Sequence, residues 1–215
     1  MNLVYANEVT PPDGHAIVQK LAEEINFNCA LEKVEIGDAL MERFHCYYNV
    51  AHVVQKKGGE AVLGWAFLWW PHRYGVLTHH AVWKRPDGVL IDVTEPQISN
   101  AHAAYILFAA DDSIQVNLER HRVVGRRFVV IQDSPQVQGL IWIETESHAR
   151  VREQSEILWE LGYRCEAAFA KAAGMNYSAA DALSRWHEVH PRLAEGLNNA
   201  HQEYQAAVEG ILAGG

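Results

Sequence analysis

Cysteine is scarce in this chain. Three residues, Cys29, Cys46 and Cys165, are scattered over 215 positions, and neither a disulfide framework nor a paired zinc knuckle can be drawn from them. Positive charge is also short. Against 27 Asp and Glu stand 18 Lys and Arg, a net charge of −9. That argues against the basic face of proteins that bind nucleic acid or anionic membranes. The local exception is RHRVVGRR (120–127), four arginines in eight residues, which suits a solvated strand edge or an anion site. No apolar run approaches the length of a membrane span. The first residues, MNLVYANEVTPPDG, contain neither a basic nor an apolar leader segment. The expected setting is the cytoplasm, with free thiols.

What is present is an ordinary globular composition, 49% hydrophobic and 21% charged, in a chain long enough to build its core without staples. A first helix is expected after PPDG, with Asp13 as its cap and Ile17, Leu21 and Ile25 along one face. From 31 to 57 the pattern again reads as helical, interrupted near RFHC and stopped by KKGG, where lysines meet a helix C-terminus and glycine follows. AVLGWAFLWW then reads as a strand, as do both arms of THHAVWKRPDGVLIDVTEP, and later RFVVIQ and LIWIE. After Ser147 apolar residues recur at 3–4 spacing in two runs separated by GMNYS (174–178), which predicts a helical hairpin. Pro191 should kink or restart its second helix. The expected organisation is an α+β domain over 1–146 and a helical extension over 147–215, packed on the core or on a partner.

The hairpin at 78–96 carries the chemistry. RPDGV places proline where its fixed φ suits a type I turn and glycine where a positive φ is needed. Such a three-residue loop pairs Arg85 with Val89, so paired positions sum to about 174. His80 and Asp92 then become diagonal neighbours on one face, while His79 goes to the other face with Ala81, Trp83, Ile91 and Val93. A carboxylate beside a histidine on a half-buried face can orient the imidazole and stabilise its cation. Upstream, FHCYYNVAHVV supplies a nucleophile, Cys46, at the start of a helical pattern. There the helix dipole and the terminal N–H groups favour a thiolate and can receive an oxyanion. Cys46, His80 and Asp92 thus read as nucleophile, base and orienter.

A cysteine at a helix start, followed by strands, then His80-Ala81-x-Trp83 leading through a turn to Ile91-Asp92-Val93-Thr94-x-Pro96, resembles the transglutaminase-like branch of the papain-like cysteine enzymes. The resemblance covers about residues 43–96. It implies a papain/transglutaminase-like core, a Cys-bearing helix packed on an antiparallel sheet, with Cys46 as nucleophile, His80 as general base and acid, and Asp92 as orienter. The arginine–glycine–glycine approach of the acetyltransferases in that group is absent, so no acetyl-CoA and no other cofactor is implied. Asn49, His79 and Trp65 are the candidates for a further oxyanion or substrate contact.

Other readings weigh on the same residues. His45, Cys46, His79 and His80 could in principle ligate zinc, but Asp92 would then have no task, and no metal is expected. HEVH (187–190) lacks the spacing of a metalloprotease helix. The expected function is a cysteine-dependent hydrolase of an amide, peptide or related acyl bond acting through a thioester. An acyl transferase or deamidase of the same fold is one alternative, and a non-catalytic scaffold with an inherited triad is another. The expected partners are a peptide, protein or small amide substrate, and further copies of the chain through the C-terminal helices, with neither nucleic acid nor membrane.

Overall fold

The structure, a computed structural model, describes residues 6–25, 31–120, 123–161 and 188–213. Its contacts divide the chain into two compact units, one of Ala6–Val116 with Arg126–Gln132, the other built on Asn117–Gly125 and the chain from Asp133 onward. The protein is α+β.

The first unit is organised around strands. These are β1 (Glu32–Met41), β2 (Glu60–Trp70), β3 (Tyr74–Lys84), β4 (Leu90–Thr94), β5 (Tyr105–Ala110) and β6 (Arg127–Val130). They follow the order β2-β5-β1-β4-β3-β6, and β2 also pairs with β3, so five strands close into a barrel with β6 on its flank. Closure leaves just enough interior for side chains. Val34, Ala66, Val82, Ile106 and Phe108 fill it, with Ile36, Val62 and Leu90 packed against them. Space there is tight. A Cβ at Gly64 would lie 2.1 Å from the carbonyl oxygen of Ala109 and 2.7 Å from the Phe108 ring, so glycine lets β2 and β5 approach.

Two helices cover the outside of this barrel. In α1 (Ala16–Glu24) Ile17 and Leu21 are buried, and bare Gly75 on β3 admits Ile17, whose side chain would be 2.6 Å from a Cβ there. The helix α2 (Cys46–Lys57) presses Cys46, Val50 and Val53 onto Ala81 of β3 and Val93 of β4. It ends as its lysines and glycines predict: Lys56 and Lys57 occupy the last turn, and Gly58 takes a φ of 71°.

The hairpin register agrees with its turn. Trp83 pairs with Ile91 and Lys84 with Leu90, Arg85 N–H donates to Val89 O at 2.9 Å, and Gly88 adopts a φ of 88°.

Several sequence expectations are corrected. Residues 32–41 form β1 rather than helix, because Val34 and Ile36 both turn into the barrel and the strand is paired on both sides, by β5 and β4. Its pairing with β4 is parallel, so the sheet is mixed and not antiparallel. The cap of α1 is His15, whose Nδ1 accepts from Ile17 N–H, while Asp13 instead pairs with Lys33. LIWIE is not a strand. It lies in α3 (Pro135–Glu160), which begins with Ser134 capping Val137 N–H and a proline in its first turn. Strand preference spans about 1 kcal/mol. A cap contributes about as much, and burying Val137 and Leu140 about 1.5–3 kcal/mol each, so the helix wins.

The second unit is helical among the described residues. Residue 146, the expected boundary, falls inside α3, and the two contact-defined units change at 116/117, 125/126 and 132/133. Pro191 opens α4 (Pro191–Ala213), with Leu193 N–H bonded to His190 O at 3.1 Å. Ile157 and Leu158 of α3 pack with Leu193, Ala194 and Leu197 of α4. The expected joint at GMNYS lies outside the described residues, as do Cys29 and Cys165. No described helix is long and apolar enough to cross a membrane.

Candidate functional site

The site forms where β3 changes neighbours. Along one edge β3 pairs with β6 from Tyr74 to Leu77 and with β4 only at Trp83 and Lys84. Between these ladders, residues 78–82 pair with β2 alone. Into that interval come His80 from β3, Asp92 from the diverging β4 and Cys46 from the first residue of α2.

Each side chain is aimed by a local feature. Alternation puts His80 on the face of Val82 and Asp92 opposite Ile91 and Val93. His80 Nε2 is 3.0 Å from Asp92 Oδ2, with the imidazole 16% exposed and the carboxylate 4%. Asp92 Oδ1 accepts from Thr94 N–H at 2.9 Å, so both carboxylate oxygens are held. The same imidazole also interacts with the Cys46 sulfur, through charge and hydrogen bonding. Cys46 is 8% exposed.

Electrostatics follow from this packing. Burial by itself lowers the His80 pKa. The Asp92 carboxylate and the Cys46 sulfur outweigh it through charge and hydrogen bonds, holding the imidazole well above its ordinary 6.5. An imidazole whose cationic form is favoured by a neighbouring carboxylate can in general support a thiolate beside it.

The loop before Cys46 is tied down on both sides. Arg43 pairs with Glu95 at 2.9 Å, Glu95 N–H donates to Met41 O at 2.8 Å, and Asn49 Nδ2 donates to Glu42 O at 2.7 Å. Between these ties Phe44 takes a φ of 68° with its side chain 68% exposed. For a residue with a Cβ that conformation costs about 1–2 kcal/mol, which the three ties offset. His45, the N-cap residue, does not cap α2 with its side chain.

The three secondary candidates have other partners. Asn49 is fully buried, and its amide nitrogen donates to both Glu42 O and, at 3.1 Å, Thr94 Oγ1. With both hydrogens used it fastens the first turn of α2 to β4 and has none left for an oxyanion. His79 points to the other face of β3, where Nδ1 meets Tyr47 Oη at 2.7 Å. Trp65, opposite His79 on β2, sets its ring edge against that imidazole, centroids 5.2 Å apart, and donates Nε1–H to Asp111 at 2.9 Å. These two brace the barrel wall behind α2.

The bonding roles of Thr94, named only as part of the motif, and of the Glu42 carbonyl were missed by sequence reasoning. Asp-x-Thr offers an aspartate–backbone turn signal that could have suggested the first; nothing local announces the second.

Among the described residues no group of three or more His, Cys, Asp or Glu could hold a metal ion. The described arginines of 120–127 do not converge on an anion site, and Arg122 lies outside the described residues. Arg126 engages Glu8 and Thr78, Arg127 lies over the Trp65 ring and bonds Glu24 O, and Arg120 pairs with Glu156. Compared with protein-family models, curated proteins and solved structures, the chain matches none.

Proposed function

We propose that this chain is a cysteine-dependent hydrolase of amide, peptide or related acyl bonds, built on a papain/transglutaminase-like core. One observation carries the reading: the partly buried His80 imidazole interacts both with Cys46 at a helix start and with the Asp92 carboxylate, whose Oδ2 is 3.0 Å from its Nε2. A structural cysteine needs no such partners.

The chemistry runs in two steps. The Cys46 thiolate attacks the acyl carbon, forming a sulfur–carbon bond, and the carbonyl oxygen becomes an oxyanion. The amino-terminal N–H groups of α2 are the nearest backbone dipoles to receive it. On collapse the carbon–nitrogen bond breaks, and His80 gives its proton to the departing amine. Water then attacks the thioester while His80 takes its proton, and the sulfur leaves as thiolate with release of a carboxylic acid. Asp92 keeps the imidazole in one orientation throughout. An amine in place of water makes the same thioester a transferase intermediate, and a glutamine side-chain amide as substrate, with water still the acceptor, makes the reaction a deamidation. A reducing, cytoplasmic setting suits a free nucleophilic cysteine.

The test is acylation. A p-nitrophenyl ester should release its phenol in a burst and leave an acyl mass on the Cys46 peptide, discharged faster by water than by added primary amine for a hydrolase, and the reverse for a transferase. Iodoacetamide near neutral pH should modify Cys46 well before Cys29 and Cys165. Equal rates for the three cysteines in the folded protein would sink the enzymatic reading and leave the scaffold.

A further inference from the structure

Phe44 is the side chain in this region that the fold does not explain. It lies two residues before the nucleophile, 68% exposed, with a φ of 68°. An unburied ring contributes little to the core, and the left-handed backbone disfavours any residue with a Cβ. Asparagine or glycine would serve the turn better. The loop is nonetheless held in this shape by Arg43 on Glu95 and by the Asn49 bond to Glu42 O. Strain over-determined by its surroundings at the edge of a site points to use of the strained residue.

We propose that Phe44 is a specificity-determining residue of the Cys46 site, and that the acyl group delivered to the sulfur carries an aromatic or large apolar side chain which packs on the Phe44 ring. The inference rests on the hydrolase reading and narrows its substrate class. Reach supports it: Cα atoms two residues apart are at most about 7.6 Å from one another. A group bonded to the Cys46 sulfur is therefore attached two residues along the chain from Phe44, whichever leaving group has gone. A rigid aromatic surface presented at little entropic cost is also the usual anchor for another ring.

The experiment compares two thiol-directed probes on the full chain, N-acetyl-phenylalanine chloromethyl ketone and N-acetyl-alanine chloromethyl ketone. In the wild type the phenylalanine probe should alkylate Cys46 about tenfold faster. Phe44→Ala should bring that ratio close to one. Phe44→Gly, which suits the backbone and should fold at least as well, should do the same. Trp142→Ala removes a ring that is 60% exposed on α3 and should keep the wild-type ratio. A wild-type ratio near one, or a ratio that survives in both Phe44 variants, would overturn the assignment. Either result alongside selective iodoacetamide labelling of Cys46 leaves the hydrolase reading standing, so the two can fail separately.

Discussion

Asp92 shows how much a single residue is asked to do. Its two oxygens hold His80 and the Thr94 N–H, and burial would make an unpaired carboxylate costly. Asparagine would keep the shape and remove the charge that stabilises imidazolium. In a serine enzyme that change costs about 10⁴ in rate. A thiolate–imidazolium pair leans less on its third member, so Asp92→Asn is expected to slow acylation of Cys46 by about 10–10³, measured as the burst rate with the activated ester. His80→Ala should abolish the selective alkylation, while His79→Ala, altering a histidine that bonds Tyr47 on the other face, should retain most of it. Equal losses in the two histidine variants would mean that the faces of β3 do not separate base from brace.

At the scale of elements, the decisive contacts are the ones that let strands and helices approach. Gly64 sits opposite His80 on β2, where an added Cβ would meet the Ala109 carbonyl at 2.1 Å. Backbone cannot step aside as a flexible side chain can. Gly64→Ala is therefore expected to destabilise the barrel by about 1–3 kcal/mol or more, read from the urea midpoint, and to blunt Cys46 labelling by displacing β3. Gly139 on α3 has nothing within 4 Å of where an alanine methyl would sit, so Gly139→Ala should instead stabilise by about 0.5–1 kcal/mol. If both alanines shifted the midpoint alike, close packing of β2 on β5 would not explain the glycine. Asn49 acts at this scale too, because its amide bonds link α2 to Thr94 of β4 and to the loop that leads into Cys46.

For the whole molecule, the raised His80 makes stability depend on pH. The folded state binds that proton more tightly than the unfolded chain, where histidine titrates at about 6.5. Its contribution is therefore complete below about pH 6.5 and is lost as pH rises through the higher folded value. Denaturation midpoints measured from about pH 6 to pH 9 should fall across that window, and the fall should be shallower in His80→Gln. A variant that tracks the wild type throughout would show that another group sets the slope.

Local features of the sequence determined the parts whose cause is local. The RPDGV turn specified the 83–91 and 84–90 pairing, the Lys56-Lys57-Gly58 run ended α2, and helical spacing placed Ile17 and Leu21 inward. The same turn made His80 and Asp92 neighbours. Tertiary structure decided what depends on distant partners. Val34 and Ile36 became strand because β4 and β5 flank them, and β1 runs parallel to β4 because the barrel closes between β2 and β3. Asn49 lost its donors to Glu42 and Thr94, and Phe44 was left exposed in a left-handed turn. A turn's geometry is set by φ preferences within four residues, whereas closure and burial are set by residues dozens of positions away, which local patterning does not encode.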